Sequence, residues 1–205
     1  MGNPGSGYEL NRHNAGRLLA RCLSFYPFLK WQKKFNGLYC THDSHHFLMP
    51  ETYMNLSGNS VLAAASFFKI NAEEIIIVHD ELELPPGTIS LKYSGGLGGH
   101  NGLRSVNKSF NSADFWRLRI GIGRPDSRRP GEGGPAGSGE GVYDWVLSDF
   151  SKDEKETLIP ALEAGAGLLV QLLSGEPEPL LNEWKKKKIP VFASAEQSEE
   201  NKEVL

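Results

Sequence analysis

The apolar positions of this 205-residue chain predict an alternation of helices and strands. Apolar side chains spaced three and four residues apart indicate amphipathic helices, whereas alternating positions or short β-branched runs indicate strands. The first pattern predicts helices over residues 15–26, 59–69, 103–110, 152–174 and 180–188. The second pattern predicts strands over residues 35–40, 47–49, 75–78, 88–93, 115–122 and 142–147. We therefore expect an α/β fold, with a single domain and a twisted mixed β-sheet flanked by helices.

The most informative stretch covers residues 75–103. It opens with an apolar β-branched run, which is typical of a buried parallel strand. His79 and Asp80 follow at the carboxyl end of that strand, where open α/β sheets place their ligand crevice. Beyond Lys92, a glycine-rich segment over residues 95–102 leads into the next helix. We expect this stretch to form part of the functional site.

The first residues form a loop with no strand in front of it. Met1-Gly2-Asn3-Pro4-Gly5 favours turns, and such a loop in an α/β protein normally follows a strand. Either the chain begins at a loop, or an N-terminal strand is missing from this sequence.

Composition narrows the class of protein without identifying a function. The net charge is −3 and the pI is about 6.1, so binding of nucleic acid would require a local basic patch. Cys22 and Cys40 provide neither a disulfide framework nor the spacing of metal ligands, and Cys22 is expected to be buried. The sequence shows no apolar run of membrane-spanning length and no signal-peptide pattern, so we expect a cytoplasmic protein.

The chain is predicted to form one domain over residues 1–190. Residues 126–141 are rich in glycine and proline and are expected to form a flexible loop, and residues 191–205 a disordered tail. Ser151 and Glu154 have the spacing of a capping box that begins the long helix. The four lysines at 185–188 suit the C-terminus of the last helix, and contact with nucleic acid is the alternative.

Polar residues at three loop-to-helix junctions are candidates for chemistry. His13 precedes the first helix, Asn3 lies in the opening loop, and Asn55 precedes the second helix. Each has an ordinary structural interpretation, as a hydrogen-bonded histidine or as a turn or cap residue. Their positions keep a functional role open.

Three other groups have weaker functional interpretations. The histidines and aspartate within residues 41–46 could bind a metal, but an exposed polar hairpin tip is the preferred interpretation. The loop over residues 95–102 could bind an anion, although it lacks the lysine and hydroxyl of a nucleotide P-loop. Arg117 and Arg119 could form a phosphate-binding patch with Lys92, the alternative being solvated surface charge.

Several segments, taken in order, resemble the bacterial-type peptidyl-tRNA hydrolases over roughly residues 2–185. The matching segments are Gly2-Asn3-Pro4-Gly5, Tyr8, Arg12-His13-Asn14-Ala15-Gly16, Pro50-Glu51-Thr52-Tyr53-Met54-Asn55-Leu56-Ser57-Gly58, His79-Asp80-Glu81-Leu82, Leu84-Pro85-Pro86-Gly87, Gly95-Gly96-Leu97-Gly98-Gly99-His100-Asn101-Gly102-Leu103 and Arg117-Leu118-Arg119-Ile120-Gly121-Ile122-Gly123. The resemblance implies a monomeric enzyme that cleaves the ester between a peptide and the 3′-terminal ribose of tRNA. It implies no metal and no organic cofactor.

The resemblance also implies roles for individual residues. His13 matches the base that activates water, and Asp80 matches the carboxylate that orients it. The residues implied to bind the ester and the peptide are Asn3, Tyr8, Met54, Asn55 and Asn101, and those implied to hold the tRNA 5′-phosphate are Lys92 and Arg119. An imidazole suits general-base hydrolysis, and an amide N–H can stabilise an oxyanion, although the sequence does not assign that task among the asparagines.

The sequence departs from the family pattern in three places. The apolar first strand that usually precedes Gly-Asn-Pro-Gly is absent, which we expect to expose core and loosen Asn3. Glu83 stands where aspartate is common, and the segment 126–141 is longer than usual. Two rival hypotheses are a non-enzymatic RNA-binding relative, which the absent strand favours, and a nucleotide-binding protein that uses residues 95–102.

Overall fold

The structure is a computed structural model that describes residues 1–125 and 139–190. These residues form an α/β domain with helices on both sides of its β-structure, which confirms the expected fold class, although the strands form two sheets. The helices are α1 (Ala15–Arg21), α2 (Ser57–Phe68), α3 (Asn101–Phe110), α4 (Gly139–Leu147), α5 (Lys152–Ser174) and α6 (Glu178–Glu183). The strands are β1 (Gln32–Lys34), β2 (Gly37–His42), β3 (His45–Pro50), β4 (Ile76–Glu81), β5 (Thr88–Tyr93), β6 (Trp116–Gly121) and β7 (Lys187–Lys188).

The larger sheet has the strand order β4-β6-β5-β7. Strand β4 runs parallel to β6, whereas β5 is antiparallel to both β6 and β7. The register places Asp80 beside Ile120, near the carboxyl ends of the parallel pair. The sheet therefore brings Asp80 to the edge where ligands are expected to bind.

Helices cover both faces of this sheet. Leu118 and Ile120 pack with Leu162 of α5 in the larger apolar cluster, which also includes residues of α1. On the opposite face, Ile77 packs with Leu103 of α3. Leu103 is fully buried, and burying a leucine side chain contributes about 1.5–3 kcal/mol to stability.

The smaller sheet contains the predicted hairpin. Strands β1, β2 and β3 pair antiparallel in that order, and β2 and β3 extend into the predicted turn over residues 41–46. His42 stacks on Phe25 with ring centroids 4.0 Å apart, and His46 stacks on Phe68 at 3.9 Å. These histidines therefore pack against aromatic rings of the fold.

A gap separates the two sheets. It contains a cavity of about 470 Å³ between β3 and β4, and apolar side chains such as Phe47 and Ile75 line it. The amino group of Met1 lies in this gap and donates a hydrogen bond to the Val78 carbonyl oxygen at 2.6 Å. Burial, with a smaller effect of the Arg17 charge, lowers the pKa of this amino group to about 5. The chain therefore enters the domain alongside β4.

The prediction of a strand over residues 142–147 is wrong, because these residues belong to helix α4. Trp145 and the buried Val146 follow Val142 by three and four positions, which is helical spacing. A six-residue apolar segment satisfies both the strand pattern and the helix pattern, so its periodicity could not distinguish them.

The predicted ends of two helices are also wrong. The last helix ends at Glu183 rather than at residue 188, and Lys187–Lys188 forms a short strand beside β5. The helix dipole therefore does not explain the lysine run. The first helix ends at Arg21 rather than at residue 26, and Cys22, expected to be buried, is exposed because it follows the last helical residue.

The predicted flexible loop and tail fall mostly outside the described residues. Of the loop over residues 126–141, positions 126–138 are not described, and 139–141 begin α4 instead. The predicted tail over residues 191–205 also lies outside the described residues.

Helix α5 begins at the predicted capping box, in which the Ser151 hydroxyl accepts a hydrogen bond from the Glu154 N–H at 3.2 Å. Contrary to the expectation from sequence, α5 is long and apolar enough to cross a membrane. Its Leu158, Leu162 and Leu169 side chains are buried in the main apolar cluster. Its apolar character is therefore explained by its packing in the core.

Candidate active site

A cleft of about 730 Å³ lies at the carboxyl end of β4. Its walls come from the first loop, the turn before α2, the start of α3 and helix α4. It is lined by seven of the residues predicted to form the site, namely Asn3, Tyr8, His13, Met54, Asn55, Asp80 and Asn101. Lys92 and Arg119, the other two, are not among its lining residues.

His13 and Asp80 form a buried pair at the base of this cleft. The His13 ring nitrogen Nδ1 lies 2.9 Å from Asp80 Oδ1 and 3.0 Å from Oδ2, although the residues are 67 positions apart in sequence. The exposed fractions are 8% for His13 and 3% for Asp80. With an Nδ1–H donated to the carboxylate, the neutral ring carries its lone pair on Nε2 and can accept a proton there.

The Asp80 carboxylate is held in its ionised form. Burial alone would raise its pKa, but the contacts with His13 and His100 outweigh that effect and hold the pKa well below its usual value. His100 Nε2 lies 3.0 Å from Asp80 Oδ1. A buried carboxylate with two imidazole partners suits the stabilisation of a positive charge on one of the rings.

The position of His13 follows from the packing of its neighbours. Arg12 is buried beneath it, forms an ion pair with Glu154 at 2.6 Å and lies 3.7 Å from the centroid of the Trp145 ring. On the other side, Gly16 packs against β4 so closely that a Cβ atom would overlap the Val78 carbonyl oxygen. The short 3₁₀ turn that contains His13 is therefore fixed from both sides.

Asn3 is clamped by three hydrogen bonds despite its place in the opening loop. Its backbone N–H donates to Asn14 Oδ1 at 2.8 Å, and its carbonyl oxygen accepts from Asn14 Nδ2 at 3.0 Å. Its side-chain oxygen accepts from the Met54 backbone N–H at 2.9 Å. Because a backbone N–H requires an acceptor, this last bond fixes the amide orientation and leaves the NH₂ group as the available donor.

The other predicted substrate residues differ in exposure. Asn55 and Asn101 are exposed, and no hydrogen bond of their side chains is present among the described residues. Met54 is buried, and Tyr8 is partly exposed. The cleft therefore contains two exposed amides, Asn55 and Asn101, and one fixed amide, Asn3. Met54 and Tyr8 add apolar and aromatic surface.

Sequence reasoning missed His100 as a member of this site. His100 is the N-cap residue of α3, and its Nδ1 accepts from the backbone N–H groups of Gly102 and Leu103 at 3.1 and 3.3 Å. Its position immediately before a helix in a glycine-rich loop was a signal of capping. Its contact with Asp80, 20 residues away, required the fold to be known.

The predicted phosphate-binding pair lies on one face of the larger sheet. Cross-strand pairing places Lys92 opposite Arg117 and Ser90 opposite Arg119, so all four side chains share a face. Arg117 is 1% exposed and donates to the Gly96 carbonyl oxygen at 2.7 Å, so it is a structural residue. Burial, followed by the neighbouring arginine charges, lowers the pKa of Lys92.

Arg119 links this basic face to the cleft. Its guanidinium lies 2.7 Å from Ser90 Oγ and 3.5 Å from Glu81 Oε2, and Glu81 lines the cleft. The cations thus lie next to the cleft but outside it. This arrangement allows a long substrate to contact both places at once.

His13, Asp80 and His100 are also the kinds of residue that hold metals. Their potential ligand atoms all lie within 4.8 Å of one another. The geometry is less suited to a metal than to hydrogen bonding, because both rings contact the carboxylate and His100 Nδ1 accepts backbone N–H groups. Each ring already uses the nitrogen that faces Asp80 in a hydrogen bond, so the arrangement is complete without an ion.

Comparisons with known proteins agree with this architecture. A family model described as peptidyl-tRNA hydrolase matches residues 1–191. A solved structure of a peptidyl-tRNA hydrolase in complex with N-propanol is 35% identical in sequence, with a TM-score of 0.78 and coverage of 93% of each chain. The peptidyl-tRNA hydrolase of Acinetobacter baumannii is 35% identical, with a TM-score of 0.75, covering 90% of this chain and 91% of that chain.

Proposed function

Since this chain belongs to the peptidyl-tRNA hydrolase family, whose members hydrolyse esters, we propose that His13 and Asp80 cleave the peptide from the 3′-terminal ribose of tRNA in the cleft. The observation that carries this proposal is the buried contact between His13 Nδ1 and the Asp80 carboxylate. The biological substrate is peptidyl-tRNA released prematurely from ribosomes, and its hydrolysis recycles the tRNA.

The reaction begins when His13 Nε2 removes a proton from a water molecule. The water oxygen attacks the ester carbonyl carbon, a C–O bond forms, and the carbonyl oxygen becomes an oxyanion. Asp80 stabilises the imidazolium that forms on His13. The imidazolium then gives its proton to the 3′ oxygen as the ester bond breaks, which yields a free peptide carboxyl group and tRNA.

Asn3 is the best-oriented donor for the oxyanion. Its side-chain oxygen is already bound by the Met54 N–H, so its NH₂ group is the one free to donate. A single donor of this kind contributes about 3 kcal/mol to transition-state stabilisation. Asn55 and Asn101 are exposed and adaptable, which suits binding of peptide backbones of varied sequence. Tyr8 and Met54 supply the wall for the peptide side chains.

The preference for blocked substrates tests this assignment. N-acetyl-aminoacyl-tRNA presents an amide to Asn55 and Asn101, whereas unblocked aminoacyl-tRNA presents an ammonium group. We expect kcat/KM to favour the blocked substrate by about 100-fold, because an ammonium group cannot accept the amide hydrogen bonds. The rate should be the same with and without EDTA, since no step uses a metal or a cofactor. Equal cleavage of both substrates would contradict the proposal.

Lys92 and Arg119 are proposed to hold the 5′-phosphate of the tRNA. Such contacts position the substrate without reading its sequence, which suits an enzyme that accepts many tRNAs. We expect Lys92→Gln to raise KM by about 10-fold and leave kcat unchanged, because a contact made equally in ground and transition states affects binding alone.

Two controls accompany this measurement. Lys152→Gln makes the same charge change on α5, which packs against the opposite face of the sheet, and should leave KM unaltered. A tRNA without its 5′-phosphate should remove the difference between wild type and Lys92→Gln. A difference that persists with that tRNA would assign Lys92 to another part of the substrate.

The proposal includes a cytoplasmic monomer. One cleft contains all the groups that the reaction requires, so catalysis needs no second copy of the chain. Light scattering at the protein concentration of the assay would test this expectation, and full activity confined to a dimer would contradict it.

A further inference from the structure

His100 makes two sets of contacts that together define its protonation. Its Nδ1 faces the backbone N–H groups of Gly102 and Leu103, and its Nε2 faces Asp80 Oδ1 at 3.0 Å. A ring nitrogen that accepts backbone N–H groups carries no hydrogen, so the neutral ring must carry its proton on Nε2. The start of α3 thereby selects the tautomer that donates to Asp80.

The start of α3 uses Nδ1 of His100 as a hydrogen-bond acceptor. Protonation of Nδ1 would remove the acceptor for two backbone N–H groups at the start of a helix, where positive charge is also unfavourable. The ring edge of His79 lies against His100, with centroids 4.9 Å apart. Burial lowers the pKa of His79 well below its usual value, so this neighbour is neutral.

We propose that His100 is a positioning residue. It donates a second hydrogen bond to the Asp80 carboxylate, beside that of His13, and thereby sets the pH range in which His13 acts as a base. This inference rests on the proposed function of His13 and Asp80. The His13 and His100 rings approach one another to 4.9 Å between centroids, and both contact Asp80 Oδ1, at 2.9 Å from His13 Nδ1 and 3.0 Å from His100 Nε2. A carboxylate that accepts a hydrogen bond from one donor stabilises positive charge on that donor fully. A carboxylate that also accepts from a second donor stabilises that positive charge less.

Loss of the His100 donor should therefore favour the imidazolium form of His13. The base form would then be present only at higher pH, and the acid side of the pH profile of kcat/KM would move upward. The other ionisable groups that face the pair are Arg104 from α3, His79 and Glu81 from β4, the Met1 amino group and Tyr8 from the first loop, Tyr53 from the turn before α2, Tyr143 from α4, and Arg124 after β6. None of these groups is altered by a substitution at position 100.

Two substitutions separate the two contacts of His100. His100→Asn can retain the cap through its side-chain oxygen but is too short to donate to Asp80. His100→Gln can place an N–H near the position of Nε2 but is a poor cap. Comparison of the two variants distinguishes a role of His100 in positioning Asp80 from a role in stabilising α3.

We expect His100→Asn to move the acid-side midpoint upward by about 0.5–1 pH unit and to leave Tm within about 1 °C. We expect His100→Gln to retain the midpoint while Tm falls by about 2–4 °C. Midpoints that are unchanged in both variants, with losses that follow Tm alone, would overturn the proposal and leave His100 as a helix cap.

A spectroscopic measurement separates this inference from the proposed function. Long-range ¹⁵N–¹H correlations of the wild-type histidine rings report which nitrogen carries the proton, whether or not the protein turns over substrate. We expect His100 to carry its proton on Nε2 and none on Nδ1. A proton on Nδ1 would overturn the inference even if His13 and Asp80 hydrolyse the substrate. An inactive wild-type protein with the expected tautomer would instead contradict the proposed function.

Discussion

At the scale of single residues, the site depends on a few side chains whose protonation and orientation are fixed by their neighbours. Asp80 receives two imidazole groups, and the Asn3 amide is oriented by the Met54 N–H. The motifs that resemble a known family pointed to His13, Asp80 and Asn3, because few residue types can activate water, orient a base or stabilise an oxyanion. They did not point to His100, because a cap is recognised locally whereas its second contact exists only in the folded chain.

The buried Asp80 carboxylate should make stability depend on pH. Its pKa in the folded state lies below that in the unfolded state, so its contribution is fully present above about pH 5 and is lost as pH falls below about 4. Asp80→Asn should reduce the free energy of unfolding by about 3 kcal/mol at pH 7, because it removes the buried carboxylate that accepts hydrogen bonds from both histidine rings. Urea unfolding at pH 7 and pH 3 would measure this, and the difference from wild type should shrink at pH 3.

The matched control is Asp144→Asn, since Asp144 is exposed on α4. It should change stability by no more than about 0.5 kcal/mol at either pH. An Asp80→Asn variant as stable as wild type at pH 7 would show that the network does not stabilise the fold.

At the scale of secondary-structure elements, the predictions from sequence were most accurate where the local sequence signal was strong. Strand β5 and helix α5 have the predicted ends, because Thr88–Tyr93 alternates cleanly and Ser151 begins a capping box. Helix α4 was missed because Val142 to Leu147 is short and follows a segment of glycine and proline. The end of the last helix was missed because pairing with β5, a distant contact, draws Lys187–Lys188 into a strand.

The packing of α1 on β4 should be sensitive to a single methyl group. A Cβ atom at Gly16 would overlap the Val78 carbonyl oxygen, so Gly16→Ala must move α1 away from the sheet. We expect a loss of about 2 kcal/mol in the free energy of unfolding and a fall in kcat, because His13 moves with the helix. Chemical denaturation and single-turnover kinetics would measure the two effects.

Gly167→Ala provides a control within α5, since nothing lies within 4 Å of a Cβ atom at that position. This substitution should stabilise the protein by about 0.5–1 kcal/mol through higher helix propensity, with kcat unchanged. If both alanine variants behaved alike, the close approach of α1 to β4 would not be what positions His13.

At the scale of the whole molecule, the cleft is intact although the two sheets are not joined. The sequence predicted that Asn3 would be loosely held, yet Asn3 is buried and bound by Asn14 and Met54. A cavity of about 470 Å³ lies between β3 and β4, where the two sheets are not hydrogen-bonded to each other. The sequence predicted no strand in front of the first loop, and only the structure shows where the gap between the sheets lies.

Filling this gap should stabilise the protein. Five apolar β-branched residues added in front of Met1 would run alongside β4, pair with its free edge and replace the buried amino group by an amide. We expect Tm to rise by roughly 5 °C or more, because apolar surface on both sheets becomes buried. Calorimetry would measure the change. An extension of five glycine and serine residues is the control, and an equal rise with that extension would contradict the account.

The most direct test of the central claim is single-turnover hydrolysis of N-acetyl-aminoacyl-tRNA by wild type and His13→Ala. Removal of the base should lower the rate by about 10²–10⁴-fold, because general-base catalysis contributes that much, while binding of the substrate is retained. His45→Ala on the hairpin is the matched control and should keep the wild-type rate. A His13→Ala protein that is folded and cleaves the ester at the wild-type rate would contradict the assignment of His13 as the catalytic base.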